Sequence, residues 1–268
     1  MSAQNISKRK LLRTISLTSL PILGWSNSFA VASPPRTVLL KLDDVVAVKG
    51  RGLSDSWKKV RDFLGEQKIS ASLGIIGESL ENPTSIYIDE MRTIASNSQF
   101  EIWNHGYTNH FIPNTAAGET AANVGTSAEV QFYSINRTQD LVLSRLGITS
   151  RLFGPHNSGM DDNTYIALSK IPEIRAIWFY APRLQSMTSA YIFKREANLE
   201  HPIFTPNLSG LRQDLAAQSF MQPYVALQGH PDMWNADRFQ AFTDVIRWLS
   251  AQGCKFLCAS EYLKSSHI

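Results

Sequence analysis

Apolar positions along the chain fall into two alternating rhythms: short aliphatic runs, and longer stretches with helical spacing. Residues 37–42 are β-branched and aliphatic and predict a strand. Residues 54–66 carry Trp57, Val60, Phe63 and Leu64 on one helical face, with Ser54 or Asp55 as the N-cap. The strand rhythm recurs at 71–76, 100–103, 151–153, 174–180, 190–194, 224–228 and 254–258. The helical rhythm recurs at 86–96, 127–146, 163–170, 214–221 and 236–251.

Strands that alternate with helices imply βαβ units and a parallel sheet. About seven or eight parallel strands in one chain of this size fit a single distorted (β/α) barrel of the α/β class better than two domains. No glycine-rich phosphate turn follows a strand, so a doubly wound nucleotide-binding sheet has no motif behind it. There is no internal repeat and no interdomain linker.

The first residues change the charge picture. Lys8, Arg9, Lys10 and Arg13 precede a short apolar run and then Ala30-Val31-Ala32, the small-residue pattern that a signal peptidase reads. The run is shorter than the roughly 20 apolar residues a spanning helix needs, so no stable transmembrane anchor is expected. The reading is a cleaved export signal over 1–32, a catalytic barrel over 33–268, and a periplasmic or secreted product. The Lys-Arg pair also resembles a twin-arginine export signal. Residues 33–268 hold 22 Lys and Arg against 23 Asp and Glu, a net charge of −1, whereas the whole chain is +3. Composition therefore lends nothing to a nucleic-acid partner. Cys254 and Cys258 lie four apart on a predicted strand, about 13 Å, too far for a disulfide.

In a parallel barrel the reactive side chains gather at the C-terminal ends of the strands. The first strand ends in Asp43-Asp44, the third in Asn104-His105 with Tyr107 and His110 following, and the fourth in Pro155-His156-Asn157. A later strand ends near Trp178, and the one from residue 224 ends in His230, with Trp234 beyond. Taken singly, each has a plain explanation: the Asp pair as a turn or helix cap, a lone histidine as structural, Trp178 as core. Together they bring carboxylates and imidazoles from four strands to one rim, as a hydrolytic metal centre requires.

These four segments resemble the motifs of the polysaccharide deacetylase (NodB-homology, carbohydrate esterase) family. Leu42-Asp43-Asp44 is similar to its first motif, and Asn104-His105 through His110 to its second. Phe153-Gly154-Pro155-His156-Asn157 is similar to its third, and Leu227-Gln228-Gly229-His230 to its last. The resemblance implies a hydrolase that removes N- or O-acetyl groups from an acetylated envelope or extracellular polysaccharide. It implies one divalent metal ion, zinc, on Asp44, His105 and His110, with Asp43 as general base and His230 as general acid. A backbone N–H near Tyr107, Pro155 or Asn157 would share the oxyanion's charge. His156 would contact sugar, and Tyr107, Trp178 and Trp234 would offer aromatic faces to it.

The chain departs from the family in three places. His105 and His110 stand one residue further apart than the family's ligand histidines. Val45 replaces a small residue. The third motif carries Phe153 in place of the arginine that pairs with the catalytic aspartate. These departures keep two other readings in view, a glycan-binding barrel without turnover and a hydrolase of small cyclic amides.

Overall fold

The computed structural model describes residues 37–108, 124–179, 188–217 and 222–267. The expected export signal and His110 lie outside them. Eight strands form one parallel sheet: β1 (Thr37–Val45), β2 (Ala71–Ile75), β3 (Phe100–Asn104), β4 (Leu152–Phe153), β5 (Ala176–Trp178), β6 (Tyr191–Phe193), β7 (Val225–Gly229) and β8 (Lys255–Phe256). Their order is β6-β5-β4-β3-β2-β1-β7, with β8 paired to the start of β1. The sheet curls almost closed, giving the distorted (β/α) barrel that the alternation predicts. Among the described residues β6 and β7 share no ladder. Side chains bridge that seam instead: the Lys194 N–H donates to the Tyr224 hydroxyl at 2.9 Å, and Arg195 donates to Gln228 at 2.7 Å.

Strand periodicity decides what faces the barrel interior. On β1, Val38, Leu40 and Leu42 point outward and pack with Trp57 and Val60 of α1 (Asp55–Gln67) and Phe242 and Ile246 of α6 (Ala236–Ala251). Leu39 points inward with Trp103, Leu152, Ala176, Phe193 and Ala226, one residue from each of six strands. Lys41 and Asp43 follow Leu39 on that inner face. Burying Leu40 and Leu42 contributes roughly 1.5–3 kcal/mol each. A one-residue slip of β1 would forfeit that and drive Lys41 and Asp43 into the helices, so the outward leucines fix the inward charges.

The remaining helices are α2 (Ser85–Ser96), α3 (Ala128–Leu146), α4 (Asp162–Leu168), α5 (Leu208–Ala217) and α7 (Ala259–Ser265). Ser54, Thr84, Ser127, Asp161 and Asn235 cap the starts of α1, α2, α3, α4 and α6 by accepting a backbone N–H. Helix α5 begins upstream of the predicted 214–221 segment. Asn207 accepts the Gly210 N–H, and Leu211 and Leu215 are the buried face, so Asp214 sits mid-helix. The last strand is two residues long where the sequence predicts five, because β8 meets only Thr37 and Val38. The chain turns at once into α7, whose Tyr262 and Leu263 join the interior cluster. Cys254 and Cys258 are not joined by a disulfide. No helix among the described residues is long and apolar enough to cross a membrane.

Candidate active site

Two consecutive residues of a regular strand point to opposite faces, yet Asp43 and Asp44 both serve one rim. The break is local. Asp44 has φ of 64°, and the β1–β2 register shifts between Leu42 and Val45. A left-handed non-glycine residue costs about 1–2 kcal/mol, and the Trp57 indole N–H, donating to the Asp44 carbonyl at 3.3 Å, helps hold it there.

Asp44 Oδ1 lies 3.4 Å from His105 Nε2 and 3.2 Å from His156 Nδ1. His105 enters from the end of β3. Its Nδ1 is 2.7 Å from the Gly154 carbonyl, which can only accept, so Nδ1 carries a proton and Nε2 is the ring atom turned to Asp44. The three ligand atoms lie within 4.8 Å of one another. Donors each about 2.1 Å from a tetrahedral ion stand about 3.4 Å apart, which matches the two measured edges. Asp44 Oδ1 and His156 Nδ1 are moreover buried atoms without a well-formed hydrogen bond, as expected of lone pairs that face a shared cation. Burial alone would raise the Asp44 pKa. The two histidines outweigh it and hold the carboxyl well below the usual carboxylate range. These residues fit a divalent ion.

Asp43 is 1% exposed and accepts three hydrogen bonds. Lys41 Nζ reaches both its oxygens, at 2.6 and 2.5 Å, and Gln228 Nε2 donates to Oδ2 at 2.8 Å. Lys41, itself 3% exposed, sits 4.8 Å from the Trp103 ring centroid and 5.3 Å from that of Phe179. Burial pulls its ammonium below the ordinary lysine range, against the opposing pull of Asp43. Lys41 thus supplies from β1 the cation that the third motif lacks.

His230 ends β7, with Nε2 3.8 Å from Asp43 Oδ2. Behind it stands Glu200, from the loop between β6 and α5. Oε2 pairs with His230 Nδ1 at 2.7 Å and accepts the Phe204 N–H at 2.9 Å. Oε1 accepts the His230 N–H at 2.9 Å and the Trp234 indole N–H at 2.8 Å. Burial would lower the His230 pKa. The Glu200 hydrogen bond and the charge of Asp43 outweigh burial, and the imidazole is raised above its ordinary value.

The structure thus brings Asp43, Asp44, His105, His156 and His230 together at one rim. His156, expected in sugar contact, stands in the Asp44–His105–His156 cluster. Two expected sugar-stacking residues are corrected. Trp178 and Trp234 are 1% and 3% exposed and keep no ring face for a sugar. Trp178 packs inside the barrel, and Trp234 packs on Phe242 while holding Glu200. Tyr107 is half-buried and donates to Glu81 at 3.0 Å. Pro155 is buried beside the cluster, and Asn157 is exposed with φ of 55°. Sequence reasoning missed Lys41, Gln228 and Glu200. Lys41 and Gln228 had a signal, since polar residues at inward positions of aliphatic strands need a partner.

The polysaccharide deacetylase family model matches residues 30–172. No curated protein sequence matches the chain. Among solved structures the chain is similar to a family 4 acetyl xylan esterase from Clostridium thermocellum in complex with a cobalt ion. That match has 15% identity and a TM-score of 0.58, covering 87% of this chain and 92% of that one. It is similar to a peptidoglycan deacetylase from Bacillus subtilis at 15% identity and a TM-score of 0.55, covering 88% and 94%. A carbohydrate esterase family 4 pseudoenzyme from Bacillus anthracis matches at 14% identity and a TM-score of 0.53, covering 85% and 66%. At these identities the structural likeness shows the fold, and the family match, spanning more than half of the sequence, shows the rest: the chain belongs to the polysaccharide deacetylase family.

Proposed function

We propose that this chain is a metal-dependent deacetylase acting on an acetylated polysaccharide outside the cytoplasm. The observation that carries the reading is the meeting, on one rim, of the Asp44–His105–His156 cluster with the Asp43–His230 pair. Asp44, His105 and His156 would hold the ion. The chemistry such an ion supplies is acidification of water and polarisation of the acetyl carbonyl.

The chain's own residues do the rest. Asp43 accepts the proton of the attacking water as the new carbon–oxygen bond forms. Its carboxylate is aimed by Lys41 and Gln228, and the buried ammonium balances its charge. His230, protonated with Glu200 on Nδ1, gives its Nε2 proton to the departing sugar oxygen or nitrogen as the acetyl bond breaks. Acetate leaves, and the proton taken by Asp43 returns to His230 through solvent. A glycan-binding barrel without turnover would have no use for a base and an acid held this way.

Residues 1–32 are read as a cleaved export signal, and 33–268 as the catalytic barrel. The mass of the protein recovered from the periplasm or medium checks this. The activity is tested by acetate release from N- and O-acetylated oligosaccharides with zinc or cobalt supplied. Release by the wild type and none by Asp43→Asn is the expected result. No release from any acetylated glycan by a metal-loaded chain would overturn the reading.

A further inference from the structure

The open seam between β6 and β7 leaves a cavity of about 180 Å³ beside the candidate acid. Arg195, Asn198, Glu200, Ile203, Gln228 and His230 line it. Four of these groups are already committed, His230 through its 2.7 Å pairing with Glu200. Glu200 accepts four hydrogen bonds, Asn198 donates to Asp214 at 3.0 Å, and Gln228 bridges Asp43 and Arg195. The exception is Arg195.

The other charged groups of the candidate site face counter-charges. Lys41 faces Asp43, His230 faces Glu200, and Asp44 faces two imidazoles. Arg195 is exposed, and among the described residues no carboxylate lies within ion-pair distance of it. Ordinarily an exposed arginine without a partner is a solvated, wandering side chain. Arg195 is instead held on two sides. One terminal nitrogen donates to Gln228 Oε1 at 2.7 Å, and the guanidinium lies 5.6 Å from the Phe179 ring centroid. Phe179 itself is fixed with φ of 50° and carries Lys41 on the same ring. Gln228 cannot reverse its amide without turning N–H toward a guanidinium and oxygen toward a carboxylate, so it locks Arg195 in place. The result is a pre-aimed planar cation, one glutamine away from the reacting groups, with N–H donors that no described residue takes up. Ile203, 63% exposed, adds an apolar wall.

We propose that this seam pocket is an anion subsite, and that Arg195 binds a carboxylate carried by the acetylated glycan, on the same sugar or the next. The proposal rests on the deacetylase reading above. A guanidinium fork matches a carboxylate with two parallel hydrogen bonds, and these charge-assisted bonds are stronger than those to a neutral hydroxyl. The preferred substrate class is therefore an acetylated acidic polysaccharide rather than a neutral one. Arg195 acts by placing the sugar, with the acetyl group presented to Asp43 and His230.

The test compares matched substrates. An acetylated neutral oligosaccharide is paired with two carboxylated versions, one oxidised to the uronic acid at C6 and one bearing an ether-linked carboxylate at C3. Acetate release is measured for the wild type and Arg195→Gln, both metal-loaded. The wild type should favour at least one carboxylated member by about tenfold or more in kcat/KM, chiefly through KM. Raising the salt concentration should erode that preference. In Arg195→Gln the ratio of carboxylated to neutral kcat/KM should fall to about one. Any effect passed through Gln228 to the chemistry divides out of that ratio. No preference in the wild type, or one that survives in the variant, overturns the proposal. Should neither substrate release acetate, the deacetylase reading has failed, and titration calorimetry with the same oligosaccharides decides the subsite separately. Tighter binding of the carboxylated member, lost in Arg195→Gln, supports it, and equal binding overturns it.

Discussion

Asp43 and Asp44 are neighbours in sequence and opposites in environment. Asp43 lies in the barrel interior with both oxygens bonded to Lys41 and one also to Gln228. Asp44 is twisted out of strand geometry, and its buried Oδ1 faces two imidazoles without a well-formed hydrogen bond. One carboxylate is oriented by donors within the protein, and the other faces two imidazoles in an arrangement that fits a cation. Three donors hold a base in one orientation and leave it a site for a proton, and incomplete satisfaction suits a ligand.

The largest effect should come from Asp44→Ala, which removes the one carboxylate of the proposed Asp44–His105–His156 site among the described residues. Bound metal, read by elemental mass spectrometry, should vanish together with turnover. Asp43→Asn keeps the shape and removes the basicity. Metal should be retained while kcat falls by about 10²–10⁴, the usual worth of a positioned acid or base. This split between two adjacent residues is the sharpest form of the comparison.

Lys41→Met leaves Asp43 buried without its cation. Breaking one side of a buried pair costs about 3–5 kcal/mol, read as a lower denaturation midpoint, and kcat should fall with it. The double variant Lys41→Met/Asp43→Asn should recover much of that stability, since neither charge is then stranded. If the double variant is as unstable as the sum of the singles, the pair is not coupled.

Glu200→Gln removes the charge behind His230 and leaves one oxygen where two accept now. His230 is raised above its ordinary pKa, so it stays protonated, and able to act as an acid, to higher pH than a free histidine. Removing the glutamate's charge lowers that value. The basic limb of the pH–rate profile should move to lower pH while metal content stays unchanged. The stability linkage has the same sign. The paired imidazolium stabilises the fold fully below the unfolded histidine pKa near 6.5, and this is lost as pH rises through the raised folded value. The variant should therefore lose more stability at pH 5 than at pH 9.

The barrel was legible because β1 to β3 and the long helices keep strict periodicities, and Val38, Leu40 and Leu42 declare an outward face by themselves. The chemical rim was legible for the residues that end strands: Asp43, Asp44, His105 and His230. What escaped depends on geometry beyond spacing. His156 joins the ligand cluster because the turn after β4 folds it toward Asp44, which no local pattern encodes. Glu200 lies in an irregular loop 30 residues before the histidine it holds. Lys41 was visible as a lysine in an aliphatic strand, but its purpose appears only when the inner face of β1 is paired with β7. Trp178 and Trp234 misled in the other direction, since position near a strand end does not decide which way a large ring turns.

The account stands on one ion seated between Asp44, His105 and His156. The most direct test is a cobalt titration of the purified chain, followed by visible absorption, with His156→Ala and His110→Ala beside the wild type. The account predicts one ion per chain in the wild type and an affinity reduced by about 10-fold or more in His156→Ala. Unchanged binding in His156→Ala, with loss in His110→Ala, would contradict it.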